Sequence, residues 1–476
     1  MLPADPGLLP VDDADASPAA GVELRQPHVV VVGGGIAGLV AARELLNGGA
    51  RVTLLESSAR LGGKVAPHTV AGIQLDAGAE SFATRGGTVA ALVTELGLGD
   101  AIVTPTGAGA WLLPRTGPAL PLPKAGLLGI PSVPLARDVI AIVGLAGALR
   151  AQLDGLLSGF FGAQERNLGA LVRKRMGRAV LERLVAPVAG AIHSAHPDQL
   201  DVDVVAPRLR DAVLSRGSLA AAVLTLREAA PAGAAVQGLS GGVFRLVDAL
   251  VEAIRTRAEI ECEAFVVTAD AAGVTLRDGR RIAADQVILA ADLGPDSGVT
   301  ITLATLVVLC PALSPAPRGT GVLVASGAPG VRAKALTHAT AKWGWLAETA
   351  GDRHVLRLSY ESAPESVEAL REQARADAAV LLGVELPAAS IVAFGRQHWA
   401  GPRRAVPRTS AVISESEWEG PDGSKNGCLS TPRTTVNIGE RVSGTGLAAV
   451  IRHAREESGK LLTDLASRPG LRLLPP

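Results

Sequence analysis

The chain has 476 residues, 48% of them hydrophobic and 55 of them glycine, which suits two or three domains with a substantial core and excludes a disordered polymer. Lysine plus arginine balance aspartate plus glutamate at 46 each, with no long basic run, so nothing points to nucleic acid. Cys262, Cys310 and Cys428 are too scattered for a metal site or a disulfide framework, and a reducing, cytoplasmic compartment is the simplest reading.

Residues 1–26, rich in Pro, Ala and Asp, have no basic or apolar region of a signal peptide and read as a disordered leader. His28–Gly33 is a run of valines ending on glycine, the pattern of a strand buried on both faces. Ile36–Asn47 has helical apolar spacing and stops at Gly48-Gly49, and Val52–Glu56 reads as the next strand, completing a βαβ unit. From Leu122 to Ala229 strand signals are weak. Helical spacing prevails there, as in Leu168–Leu184 and Ser218–Arg227, with breaks expected at Pro131, Pro134, Pro187 and Pro197. Val139–Leu149 and Val299–Leu313 are apolar but too short to span a membrane. They read as core, although the first could lie on a membrane surface. A helix follows Gly241-Gly242, a hairpin turns at Asp278-Gly279, and Val287–Ala290 reads as a buried strand. Residues 300–400 mix strands with one helix near Pro364–Leu382, and Gly444–Leu462 returns to a glycine turn followed by a helix.

Gly33, Gly35 and Gly38 have the spacing of a dinucleotide-binding turn. The first permits the sharp bend, the second lets the backbone approach a pyrophosphate, and the third lets helix and strand pack closely. The helix N-terminus favours phosphate, and Glu56 at the end of the second strand can accept hydrogen bonds from ribose hydroxyls. This unit alone does not separate NAD from FAD. Past Glu56, Gly62-Gly63-Lys64 lets backbone run beside an extended dinucleotide, and the Gly78 turn can bring backbone close to a flavin ring.

Gly33 to Phe82 resembles the flavin-containing amine oxidase superfamily, and Gly78-Ala79-Glu80-Ser81-Phe82 is similar to its bacterial protoporphyrinogen and coproporphyrinogen oxidases. Further matches follow in the same order: Leu184–Val188 with His193–Asp198 in an actinobacterial form, Gly238–Leu250, Lys334–Trp343, and Gly439-Glu440 with Ser443–Leu447. The resemblance implies FAD contacts at Gly33, Gly34, Gly35, Ile36, Ala37, Gly38, Glu56, Ser57, Lys64, Gly78, Ala79, Glu80, Ser81, Val266, Thr445, Gly446 and Leu447. It further implies six-electron oxidation of a porphyrinogen, with O2 accepting the electrons as H2O2. Coproporphyrinogen III is the expected substrate by analogy, with protoporphyrinogen IX or an amine oxidase or desaturase reaction as alternatives. A single tyrosine, Tyr360, argues against the aromatic cage of an amine oxidase.

The expected fold class is α/β. A Rossmann-like FAD-binding domain is built from both chain ends (27–90, 231–298, 426–476), with an α+β substrate domain (91–121, 299–425) and a mainly helical insertion (122–230). No catalytic side chain and no metal site is expected, since the cofactor carries the chemistry. His193 and His196 lack a third ligand, and Trp343 and Trp345 should alternate on one strand face. Arg85 and Lys342 are the candidate anchors for substrate propionates. A cytoplasmic, optionally membrane-peripheral protein is expected; oligomeric state is not legible. Two departures from the family stand out: Ala108-Gly109-Ala110 where a basic residue often precedes the aromatic strand, and polar 403–436 where a Gly-His turn and an amphipathic helix belong.

Overall fold

The computed structural model describes residues 24–84, 86–124, 126–193, 195–228, 236–270, 272–291, 300–400, 435–444 and 446–475. Arg85, Thr445, most of the expected leader and all but the last two residues of the divergent stretch 403–436 lie outside them. Leu24–Gln26 are tied to the fold, since Arg25 N donates to Gly470 O and its guanidinium pairs with Asp285.

Five parallel strands run in the order Glu259–Glu261, Arg51–Leu55, His28–Val32, Gln286–Leu289 and Val436–Asn437. His28–Val32 lies at the centre, and its valines are buried because both faces of the sheet are covered. Strand alternation divides them. Val29 and Val31 face the helices Ile36–Asn47, Arg245–Ile254 and Leu447–Ser467, whereas Val30 and Val32 face the small sheet that includes Val266–Asp270 and Gly273–Leu276. Each such side chain contributes roughly 1.5–3 kcal/mol by leaving water. Ile36–Asn47 ends where expected, and Gly49 is required there: its φ is +86°, and a Cβ would fall 1.8 Å from Leu474 O. Strand Val436–Asn437 and helix Leu447–Ser467 come from the far end of the chain, so both ends build one unit, as the fold class required.

The second sheet has seven strands, in the order Ile391–Ala400, Thr300–Val308, His354–Tyr360, Ala335–His338, Gly321–Val324, Trp111–Leu113 and Leu120–Pro121. Helix Val367–Leu382 covers one face, burying Leu370, Ala374, Ala378 and Leu381 with Leu306, Leu336, Leu356 and Leu358. Between the sheets in sequence lies a helical layer with its own core. The expected helix Leu168–Leu184 is interrupted. It stops at Met176 before Gly177 (φ +90°), where a Cβ would sit 2.8 Å from Arg150 Cγ, and resumes through a π-turn at Leu181–Val185. Pro187 does not break the chain. It follows directly on the π-turn Leu181–Val185, within a stretch that is helical from Arg178 to His193. The Trp343/Trp345 expectation is also corrected: the strand ends at His338, Ala339–Lys342 is helical, and Trp343 leads into helix Gly344–Ala350. The turn forms because Trp343 N donates to Ala339 O, and it packs the Trp343 ring against Leu75, Val307 and Val355.

Candidate functional site

The groove begins at the C-terminal end of His28–Val32. Gly33 takes φ +104° and donates its N–H to Leu55 O at 2.7 Å. A Cβ on Gly38 would lie 1.9 Å from Gly33 O, so helix and turn close only on glycine. In front of Gly35 a Cβ would meet nothing within 4 Å, and the helix that starts there has no side-chain cap. An uncapped N-terminus facing open space suits a pyrophosphate. Glu56 closes one end: its Oε2 accepts the Gly34 N–H at 2.7 Å and its Oε1 the Ser58 N–H at 2.8 Å, leaving the carboxylate half-exposed at the strand end. Ser57 Oγ stands 3.4 Å from the same Oε1.

Three glycine segments converge on this turn. Gly62 N donates to Gly34 O at 2.8 Å, a Cβ on Gly63 would approach Gly35 Cα at 3.3 Å, and one on Gly78 would meet Lys64 O at 2.5 Å. From the far end of the chain, Gly439 comes alongside Ala37 and Ala290, and Glu440 pairs with Lys64 Nζ at 2.6 Å. Gly446, with φ +103° and open space at its Cβ, precedes Leu447, which packs against the core that includes Ile36 and Ala37. Gly62, Gly63 and Gly439 thus close on the Gly33–Gly38 turn, with Gly78 against Lys64, and this glycine cradle fits FAD. Val266 belongs to the core with Val30 and Leu55, so its side chain does not face the groove. Phe265 beside it is exposed, and Ala264 N donates to Glu56 O at 2.9 Å.

Beyond Gly78 lies a buried charge cluster. Glu80 pairs with Lys342 Nζ at 2.7 Å and with Arg357, whose other amino group donates to Asp76 O and Gly78 O, both at 2.8 Å. Burial alone would raise the Glu80 carboxyl, but Lys342 and Arg357 outweigh it and hold it down at about 2. Asp76 behaves oppositely. Burial pushes it up to about 6, against the Val243 and Phe244 N–H groups that its carboxylate accepts at 3.0 and 2.9 Å. Lys342 is thus a partnered cation, not a free anchor. Arg357 and Asp76 were not singled out as functional residues, yet a lone arginine inside His354–Tyr360 (HVLRLSY) was a legible signal, because a buried charge requires a partner. Gly109 O accepts from Thr320, and Arg318 stacks on the Trp111 ring at 4.5 Å.

Residues 36–326 match the family described as flavin containing amine oxidoreductase. The chain belongs to that family. It is an FAD-dependent oxidoreductase. It is 29% identical over 385 residues to the coproporphyrinogen III oxidase of Propionibacterium freudenreichii, covering 74% of this chain and 72% of that one. It is 32% identical over 358 residues to that of Mycobacterium tuberculosis, covering 69% and 75%. Among solved structures it resembles a putative protoporphyrinogen oxidase from Exiguobacterium, with a TM-score of 0.73 at 23% identity, covering 93% of this chain and 100% of that one.

Proposed function

We propose that this family member oxidises coproporphyrinogen III to coproporphyrin III, with O2 as the terminal acceptor and H2O2 as the second product. The observation that carries the reading is the 32% identity to the mycobacterial coproporphyrinogen III oxidase across 75% of its length. FAD supplies hydride acceptance. The chain's own residues would hold it: Glu56 would bind the ribose and Gly33–Gly38 the pyrophosphate, and Gly78, Ala79, Glu80, Ser81, Thr445, Gly446 and Leu447 are the candidates for the flavin end. Arg85 is the candidate for gripping a substrate propionate; Lys342 contributes to that edge through its pair with Glu80. An amine oxidase reading is disfavoured, because Tyr360 is buried under helix Val367–Leu382 with its hydroxyl on Asp377 at 3.0 Å.

Protein loaded with FAD is expected to raise porphyrin fluorescence in air from coproporphyrinogen III faster than from protoporphyrinogen IX, with peroxide appearing in step. Faster turnover of protoporphyrinogen IX would favour the substrate of the Arabidopsis chloroplastic/mitochondrial relative, which is 27% identical over 206 residues. Turnover of neither, with flavin bound, would overturn the proposal. In the same assay Arg85→Ala is expected to raise KM and leave flavin content alone.

Among the described residues no single helix is long and apolar enough to cross a membrane. Leu145, Leu149, Leu156 and Phe160 nevertheless project from one stretch of the helical layer with at least half of their surface exposed, which supports peripheral contact with a lipid surface.

A further inference from the structure

Helix Val367–Leu382 buries Leu356 and Leu358 on one face of the seven-stranded sheet, so Arg357 between them projects to the other face, only 6% exposed. There its guanidinium spans a seam between the two halves of the molecule. Two of its hydrogen bonds go to the carbonyls of Asp76 and Gly78, and a third contact goes to the Glu80 carboxylate. Lys342 reaches the same carboxylate from the end of the Ala339–Lys342 helix. The side chains of Lys342 and Glu80 are 16% and 14% exposed, so water screens these charges weakly. Two cations thus meet at one carboxylate. The Asp76 carboxylate is a second anion in the field of Arg357, held by the N–H groups of Val243 and Phe244 at the start of helix Arg245–Ile254, and His68 is engaged with Gln397.

We propose that Arg357, Glu80 and Lys342 form a charged seat behind the Gly78–Ser81 turn, in which Arg357 fixes the turn against the flavin ring and the positive charge of Lys342 raises the electron affinity of bound FAD. The inference rests on the placement of that turn beside the ring in the proposed function. In each oxidation step a C–H bond at a porphyrinogen bridge breaks and its electron pair leaves as hydride to FAD, while a pyrrole N–H proton passes to water as the bridge becomes unsaturated. The ring thereby gains one negative charge, which a positive neighbour in a water-poor setting favours. O2 then takes up two electrons and two protons and leaves as H2O2. Arg357 and Lys342 have separable roles, because Arg357 alone holds the backbone carbonyls. Arg357 is a positioning residue; Lys342 acts through charge.

The test is a redox titration of the flavin-loaded full chain, with the affinity for sulfite, an anion that adds to the ring, as a second measurement. Lys342→Met is expected to shift the two-electron equilibrium about tenfold against reduction, about 30 mV, and to weaken sulfite binding, with FAD affinity unchanged. Glu80→Gln, which removes the carboxylate shared by the two cations, is expected to move both quantities in the opposite direction. Arg357→Lys keeps the charge but not the fork, and should retain the potential while FAD dissociates faster. A potential that does not move in Lys342→Met, or that moves in the same direction in Lys342→Met and Glu80→Gln, would overturn the seat. Wild-type protein that takes up no FAD would sink this inference and the proposed function together. Flavin-loaded protein with sign-dependent potentials but no porphyrinogen turnover would sink only the latter.

Discussion

Glu56 organises the groove before any ligand enters it. Its two oxygens accept N–H groups from Gly34 and Ser58, which holds the glycine turn against the end of the second strand. Glu56→Ala removes both charge-assisted bonds and the ribose acceptor together, so the Kd for FAD should rise about tenfold to a hundredfold, read by flavin fluorescence on titration. Unchanged flavin retention would contradict the ribose role. Asp76 carries a pH signature. Its carboxyl rises from 3.8 to about 6 on folding, so the folded chain binds the extra proton. Its contribution is therefore most favourable below about pH 4 and is lost as pH rises through about 6, a swing of up to about 3 kcal/mol. Asp76→Asn cannot titrate. Its unfolding free energy relative to wild type should improve between pH 4 and pH 7, checked by urea titrations at both values; a constant difference would refute the raised carboxyl.

At the scale of elements, the strand–turn–helix junction separates two uses of glycine that look alike in a sequence. Gly38 is a packing requirement, since its Cβ would strike Gly33 O, whereas Gly35 faces open space in an ordinary extended conformation. Gly38→Ala should cost at least about 1–3 kcal/mol through overpacking. Gly35→Ala should keep the wild-type melting temperature yet lose FAD affinity by tenfold or more, because the methyl would occupy the approach to the pyrophosphate. Thermal melts of both variants with and without FAD distinguish the two, and a destabilised Gly35→Ala apoprotein would show that the turn is tighter than described. The same scale explains where local reading failed. Gly177 reads as a tolerable residue within a helix, and Trp343-Gly344-Trp345 as an alternating strand. What stops the first is Arg150 crossing from a neighbouring helix, and what bends the second is packing of Trp343 among side chains from three other segments.

For the whole molecule, the helical layer combines a buried framework with an apolar exterior. Arg175 and Asp154, both fully buried, tie the loop containing Phe160 and Phe161 to the helices, with Arg175 donating to Ser158 O and Phe161 O. The exposed Leu149, Leu156 and Phe160 are thereby held in place without contributing to the core. Replacing all three with serine should leave turnover in solution within about twofold, since surface changes cost little. Flotation with phospholipid vesicles should fall at least tenfold. Equal flotation of variant and wild type would remove the lipid contact from the proposal.

Local pattern determined much of this protein. The valine run, the glycine spacing and the strand-ending glutamate act within a few residues of one another, through backbone sterics and side-chain alternation, and so Gly33–Glu56 could be assigned from sequence. The return of residues 436–467 to the same sheet was legible because its glycine turn and helix repeat the opening pattern. Tertiary structure alone decided the partners of the charges. Lys342, Glu80, Arg357 and Asp76 are separated by up to 281 residues, and no local spacing says which carboxylate a buried cation will find. A charge removed from water takes whatever partner the packing of distant strands delivers, and only the folded chain fixes that choice.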